Sequence, residues 1–103
     1  MYIVVFITAP TKREAKKIAN VLIKNKMAAC VNITDKIDSL FWWKGKINSL
    51  KEVLLIVKSK KEKLPQIIKF VKSAHSYSVP EIISLSIGAG LPAYLRWIDD
   101  SLR

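Results

Sequence analysis

Read from its N-terminus, the chain switches repeatedly between two periods of apolar residues. Tyr2 to Thr8 is a β-branched and aromatic run that stops at Pro10, the pattern of a buried strand. Ala15, Ile18, Ala19, Leu22 and Ile23 then recur at helical spacing, with Lys12, Lys16, Lys17, Asn20 and Lys24 mostly off that stripe. Thr11 and Glu14 have the spacing of a capping box, so this helix is expected to begin there and to end near Asn25. "MAACVNITDKIDSLFWW" and "KINSLKEVLLIVKS" are extended segments that meet at Gly45, a hairpin in which the glycine supplies the positive φ of a tight turn. In the second of them Val53 to Val57 are apolar at every position, so both faces of that strand are expected to be buried.

Helical register returns with Leu64, Ile67, Ile68 and Val71, Pro65 falling near the helix start and Ser59 and Glu62 spaced for a second capping box. "EIISLSIGAG" reads as a strand ending at Gly88 and Gly90. The closing "LPAYLRWIDDSLR" reads as a short helix with Leu91, Tyr94, Leu95, Ile98 and Leu102 along one side. The order β, α, β, β, α, β and a terminal helix predicts an α+β protomer of ferredoxin-like type, one domain over residues 1–103. Both main helices then cover one face of the sheet. The other face would meet water, although its central strand is apolar on both sides and "LFWW" adds aromatic surface. A patch of that size seldom stays exposed on a monomer, so self-association closed by symmetry is expected.

Composition narrows the function classes. With 50% of residues hydrophobic and 25% charged, the chain is globular and not disordered. Its length allows a core that removes roughly two-thirds of the unfolded surface from water. The apolar start is far shorter than the ~20 residues of a membrane span and has no basic leader. No membrane is therefore expected, and the location is expected to be cytoplasmic. Cys30 is the lone cysteine, which excludes an intrachain disulfide.

The excess of 18 Lys+Arg over 8 Asp+Glu, net +10, attracts phosphates and acidic partners. Much of it lies in "TKREAKK" and "KSKKEK", at the starts of two helices, and reads as the solvated exterior common in proteins from hot environments. Nucleic acid is not the expected partner. "FWWKGKI" lacks the glycine-rich signature of RNA-binding ferredoxin-like domains, and "GAG" at Gly88 to Gly90 lacks the spacing of a phosphate loop.

Few side chains carry candidate chemistry. Cys30, between Ala29 and Val31 on an expected strand, reads as a small buried hydrophobe. A nucleophilic Cys30 with His75 as base would need a third group to orient the imidazole, and the sequence offers none, so no enzyme is expected. His75 opens "HSYSVPEI" on the apolar side of its helix, where an imidazole can bond the last free carbonyls. Tyr77, Pro80 and Glu81 would organise the turn into the final strand, with Pro80 holding Val79 extended.

Six stretches together resemble the CutA family of divalent cation tolerance proteins over almost the whole chain. They are "TAP" (Thr8 to Pro10), "MAACVN" (Met27 to Asn32), "SLFWWKGKI" (Ser39 to Ile47), "EVLLIVKS" (Glu52 to Ser59), "HSYSVPEI" (His75 to Ile82) and "YLRW" (Tyr94 to Trp97). The resemblance implies a PII-like homotrimer, with Phe41, Trp42 and Trp43 at the trimer interface and tolerance of copper or another divalent metal ion as the function. Cys30, Met27 and His75 are the candidate copper ligands by softness and imidazole chemistry. In family members credited with metal binding a first-strand cysteine and a pair of adjacent histidines are implicated. Here Ile7 and Ala74 hold the matching positions beside His75, and Ser76 replaces the usual proline. The alternative that the resemblance implies is a regulator that holds a small anion or a partner protein in intersubunit clefts, lined by Lys44, Lys58, Tyr77 and Glu81.

Overall fold

The computed structural model describes residues 1–103. Its elements are β1 (Tyr2–Ala9), α1 (Lys12–Lys24), β2 (Cys30–Ile33), β3 (Ile37–Trp43), β4 (Lys46–Lys60), a 3-10 turn (Lys61–Lys63), α2 (Leu64–Ala74), β5 (Ile82–Ser86) and α3 (Pro92–Ser101). All pairings are antiparallel in the order β2-β4-β1-β5, with β3 also on β4. This is the ferredoxin-like arrangement that the element order predicts. None of its helices is long and apolar enough to cross a membrane.

β4 is the spine. One edge pairs Val53 to Lys60 with β1, while the other pairs Leu55 to Lys58 with β2 and Lys46 to Glu52 with β3. The segment read as one strand up to Trp43 is therefore two. Thr34 causes the break: its hydroxyl accepts the Leu54 N–H at 2.9 Å while its own N–H donates to the Leu54 carbonyl at 3.0 Å. A polar side chain competing for the ladder in this way ends regular pairing. The β3–β4 hairpin turns on two left-handed residues, Lys44 (φ 51°) and Gly45 (φ 76°), between the paired Trp43 and Lys46. Positive φ at both central residues is the signature of a type I′ turn, whose twist matches that of the strands.

The helix-side core forms because β1 and β4 present one apolar set each. Ile3, Val5 and Ile7 lie beside Val53, Leu55 and Val57, under Ala15, Ile18, Ala19 and Leu22 of α1 and Ile67 and Val71 of α2. Fully burying each large member is worth about 1.5–3 kcal/mol.

Thr11 caps α1 as expected, its Oγ1 accepting the Glu14 N–H at 3.1 Å. The second expected capping box does not form. Ser59 pairs with Ile3 inside β4, fully buried, and its hydroxyl donates to the Met27 carbonyl at 2.6 Å. Glu62 instead faces Lys60 at 3.6 Å and the N-terminal ammonium at 3.8 Å. A strand position opposite β1 outcompetes a cap.

On the second sheet face, α3 covers one end. Asp99 Oδ2 accepts the Tyr2 hydroxyl at 2.6 Å and Oδ1 meets Lys60 Nζ at 2.8 Å, while Ile98 and Leu102 are buried. Beyond α3 this face is only half covered: Leu54 and Ile56 are half-buried, and Ile83 and Leu85 are 51% and 53% exposed. The strand expected to be buried on both faces is closed on one face only within the protomer.

The Lys60 hydrogen bond, followed by that of Tyr2, holds the Asp99 carboxyl below its ordinary value of 3.8, and Asp99 raises Lys60 in return. A depressed carboxylate contributes stability above its unfolded pKa and loses it as pH falls through the folded value. Asp99→Asn should therefore lower the urea midpoint at neutral pH, and the gap from wild type should close as pH drops below 3.8. Urea melts across an acid series check this.

Candidate functional site

Three elements end together around His75. α2 stops at Ala74, and His75 caps it, donating its backbone N–H to Val71 O at 2.9 Å while a ψ of 144° turns the chain away. Its side chain is 0% exposed. The ring does not bond the helix carbonyls that its position suggests. Nε2 donates to the Thr8 carbonyl at 2.7 Å, near the end of β1, and Nδ1 accepts the Tyr77 N–H at 3.0 Å. A carbonyl partner requires the proton on Nε2, so the two bonds select one neutral tautomer.

One carboxylate lies against the ring and a second is reached through Tyr77. The Tyr77 ring tilts against the imidazole at a centroid distance of 4.8 Å, and its hydroxyl donates to Glu52 Oε2 at 2.9 Å. Glu52 is only 6% exposed, at the foot of the apolar run of β4. The Ser76 N–H and hydroxyl both donate to Glu14 Oε2, at 3.0 and 3.1 Å. The same oxygen lies 3.3 Å from His75 Nδ1. Glu14 thus leaves its expected capping role at Thr11 and ties α1 to the end of α2. Burial, followed by the Glu52 bond, pushes the Tyr77 hydroxyl up to about 12.

The other candidate residues lie elsewhere. Cys30 is half-buried at the start of β2, opposite Lys58, whose Nζ is 3.9 Å from its Sγ. His75 is anchored to Thr8, which sits opposite Leu54. Four residues of β4, about 13 Å of strand, separate those two levels, so no Cys30–His75 pair forms. Met27 serves through its carbonyl on Ser59. Lys44 is at the hairpin tip, about 45 Å of strand from Lys58, and Glu81 is exposed just before β5. Lys44, Lys58, Tyr77 and Glu81 are therefore not gathered within one protomer. Phe41, Trp42 and Trp43 are 36%, 72% and 60% exposed on the outer half of the hairpin.

A closed metal centre does not fit the residues of one protomer. No three His, Cys, Asp or Glu side chains converge, and both nitrogens of His75 are engaged. Ile7 is in the core and Ala74 ends α2. Sequence reasoning missed Glu14 and Glu52 as partners of this cluster. Each had a signal: Glu14 is the one acid in "TKREAKK", and Glu52 is the acid directly before "VLLIV".

With fold and cluster in place, the chain can be set beside known proteins. The family described as CutA1 divalent ion tolerance protein matches residues 3–101. The chain belongs to the CutA family. It is 44% identical to the divalent-cation tolerance protein CutA of Archaeoglobus fulgidus over 103 residues, all of both chains. The solved structure of that protein, described as periplasmic, matches with a TM-score of 0.97 over both full chains. CutA1 of Oryza sativa has a TM-score of 0.96 at 43% identity, covering 99% of this chain and 94% of that one. The rice relative described as chloroplastic is 44% identical over 98% of this chain, which spans 57% of that protein's length. This chain spans between 52% and 63% of the length of the plant and animal CutA relatives it matches, 52% of the human one.

Tyr77→Phe removes the hydroxyl partner of a buried carboxylate and should cost about 1–3 kcal/mol in urea unfolding. A raised tyrosine contributes stability that is complete below its unfolded pKa and lost through its folded one. Wild type should therefore lose stability between pH 10.0 and about 12 on account of this residue, a loss the variant lacks. Paired alkaline melts separate the two.

Proposed function

We propose that the chain acts as a homotrimeric divalent-cation tolerance protein of CutA type, with its response to copper or another divalent ion belonging to the assembly. One observation carries the reading: beyond α3 the second sheet face is only half covered, with Ile83 and Leu85 exposed at one edge and the aromatic residues of the hairpin meeting water at the other. Packing copies through it would remove about 150–250 Å² per aromatic side chain from water. It would also shield sheet edges such as β5, which pairs within the protomer only with β1. In this reading Phe41, Trp42 and Trp43 lie at the interface.

His75 is assigned an anchoring role. A metal on its ring would have to displace either the Thr8 carbonyl or the Tyr77 amide. Metal ligands are accordingly assigned to side chains contributed by more than one subunit, because no closed set exists in one. A second reading, a regulator holding a small anion between subunits, is supported by Lys44 and Lys58, neither of which has a carboxylate partner. It predicts a melting shift with a nucleotide or organic acid. A ligand at about 100 times its Kd stabilises by about 2.7 kcal/mol.

Light scattering at micromolar concentration should give three times the 11.7 kDa chain mass; a monomer would overturn the assembly. Copper titrations of wild type and His75→Ala should coincide in stoichiometry, while the variant melts earlier. A lost equivalent of copper in the variant would make His75 a ligand.

A further inference from the structure

On the helix side of the sheet, away from the face assigned to assembly, a groove of about 790 Å³ runs between α1 and α2. Ile18, Val21, Phe70 and Ala74 supply its apolar surface, and Arg13 and Lys17 stand on one rim, one helical turn apart. Neither cation makes an ion pair in the protomer. The single acid that lines the groove, Glu14, is turned onto Ser76 and His75. The lining therefore carries a net positive charge, two cations against one carboxylate, along an apolar trough, on a chain of net charge +10.

We propose that this groove docks an acidic amphipathic segment of a partner protein, its carboxylates on Arg13 and Lys17 and its apolar side chains on Val21, Phe70 and Ala74. Charge complementarity selects an acidic partner, and the apolar trough selects a peptide over a nucleic acid. A phosphate backbone gains from cations alone, whereas an amphipathic segment lays one face into such a groove. The inference does not depend on the trimer, since each protomer carries a complete groove. In an assembly closed through the other face the grooves would remain accessible, and a partner with several such segments would bind with added avidity.

The test is fluorescence anisotropy with a labelled helical peptide bearing Glu along one face and Leu and Phe along the other. Saturable binding that weakens with salt is expected. Arg13→Glu/Lys17→Glu should weaken it about tenfold or more, because attraction at the rim becomes repulsion. Lys36→Glu/Lys61→Glu, the same charge change away from the groove, should stay within about twofold of wild type. Ala74→Trp, which fills the trough from an exposed position, should abolish binding while unfolding stays cooperative. No binding by wild type would overturn the proposal, and so would equal weakening by both charge variants. The proposal also fails if a Glu peptide with Ser in place of Leu and Phe, or a single-stranded DNA oligonucleotide, binds as tightly and loses as much with Arg13→Glu/Lys17→Glu.

Discussion

The antiparallel ladder between β1 and β4, from Tyr2–Lys60 to Ala9–Val53, sets the position of nearly everything else. It fixes which residues face the helices, because a slip of one position would carry Ile3, Val5 and Ile7 to the other face and abolish the core. It also fixes both ends of the sheet. At one end the paired Tyr2 and Lys60 converge on Asp99 and hold α3 down. At the other, the Thr8 carbonyl, opposite Leu54, becomes the acceptor for His75.

That second end explains why one histidine is built so deeply into the protomer. A buried imidazole with an unfilled nitrogen would be costly, and His75 has neither nitrogen unfilled. Its two bonds join α2 to β1 and shape the loop that carries Tyr77 to Glu52. Ser76 adds a link back to α1 through Glu14, and a proline at that position would lack both the N–H and the hydroxyl that Glu14 accepts. The serine that breaks the family pattern therefore has a physical partner here. It changes how the loop is held more than it changes any ligand set.

Contacts that are local or periodic were legible in the sequence. The stripe of α1, the Thr11 cap and the Gly45 turn follow from spacing alone, since each satisfies its own groups within a few residues. The departures share one cause, which is competition from a distant partner. Ser59 and Glu62 have cap spacing, but Ser59 stands opposite Ile3, and the ladder wins. Thr34 sits in an extended run, but its hydroxyl takes an amide of β4 and splits the strand. His75 bonds a carbonyl 67 residues away, and a backbone acceptor leaves no mark in a residue pattern. The family resemblance drew attention to "HSYSVPEI" but carried no information on which atoms it would meet.

The sheet divides the molecule's surface into two unlike halves, and this follows from how each face is finished. On the helix face, α1 and α2 close the core and leave between them a trough rimmed by Arg13 and Lys17. On the other face, α3 is too short to cover more than one end. Covering Ile83 and Leu85 within the protomer would remove the apolar surface on which the proposed assembly depends. A half-covered face and a closed one on the same five strands separate the surface proposed for copies of the chain from the groove proposed for a different molecule. That separation is possible because β4 places Leu54 and Ile56 outward and Val53, Leu55 and Val57 inward, every residue of the run having a use.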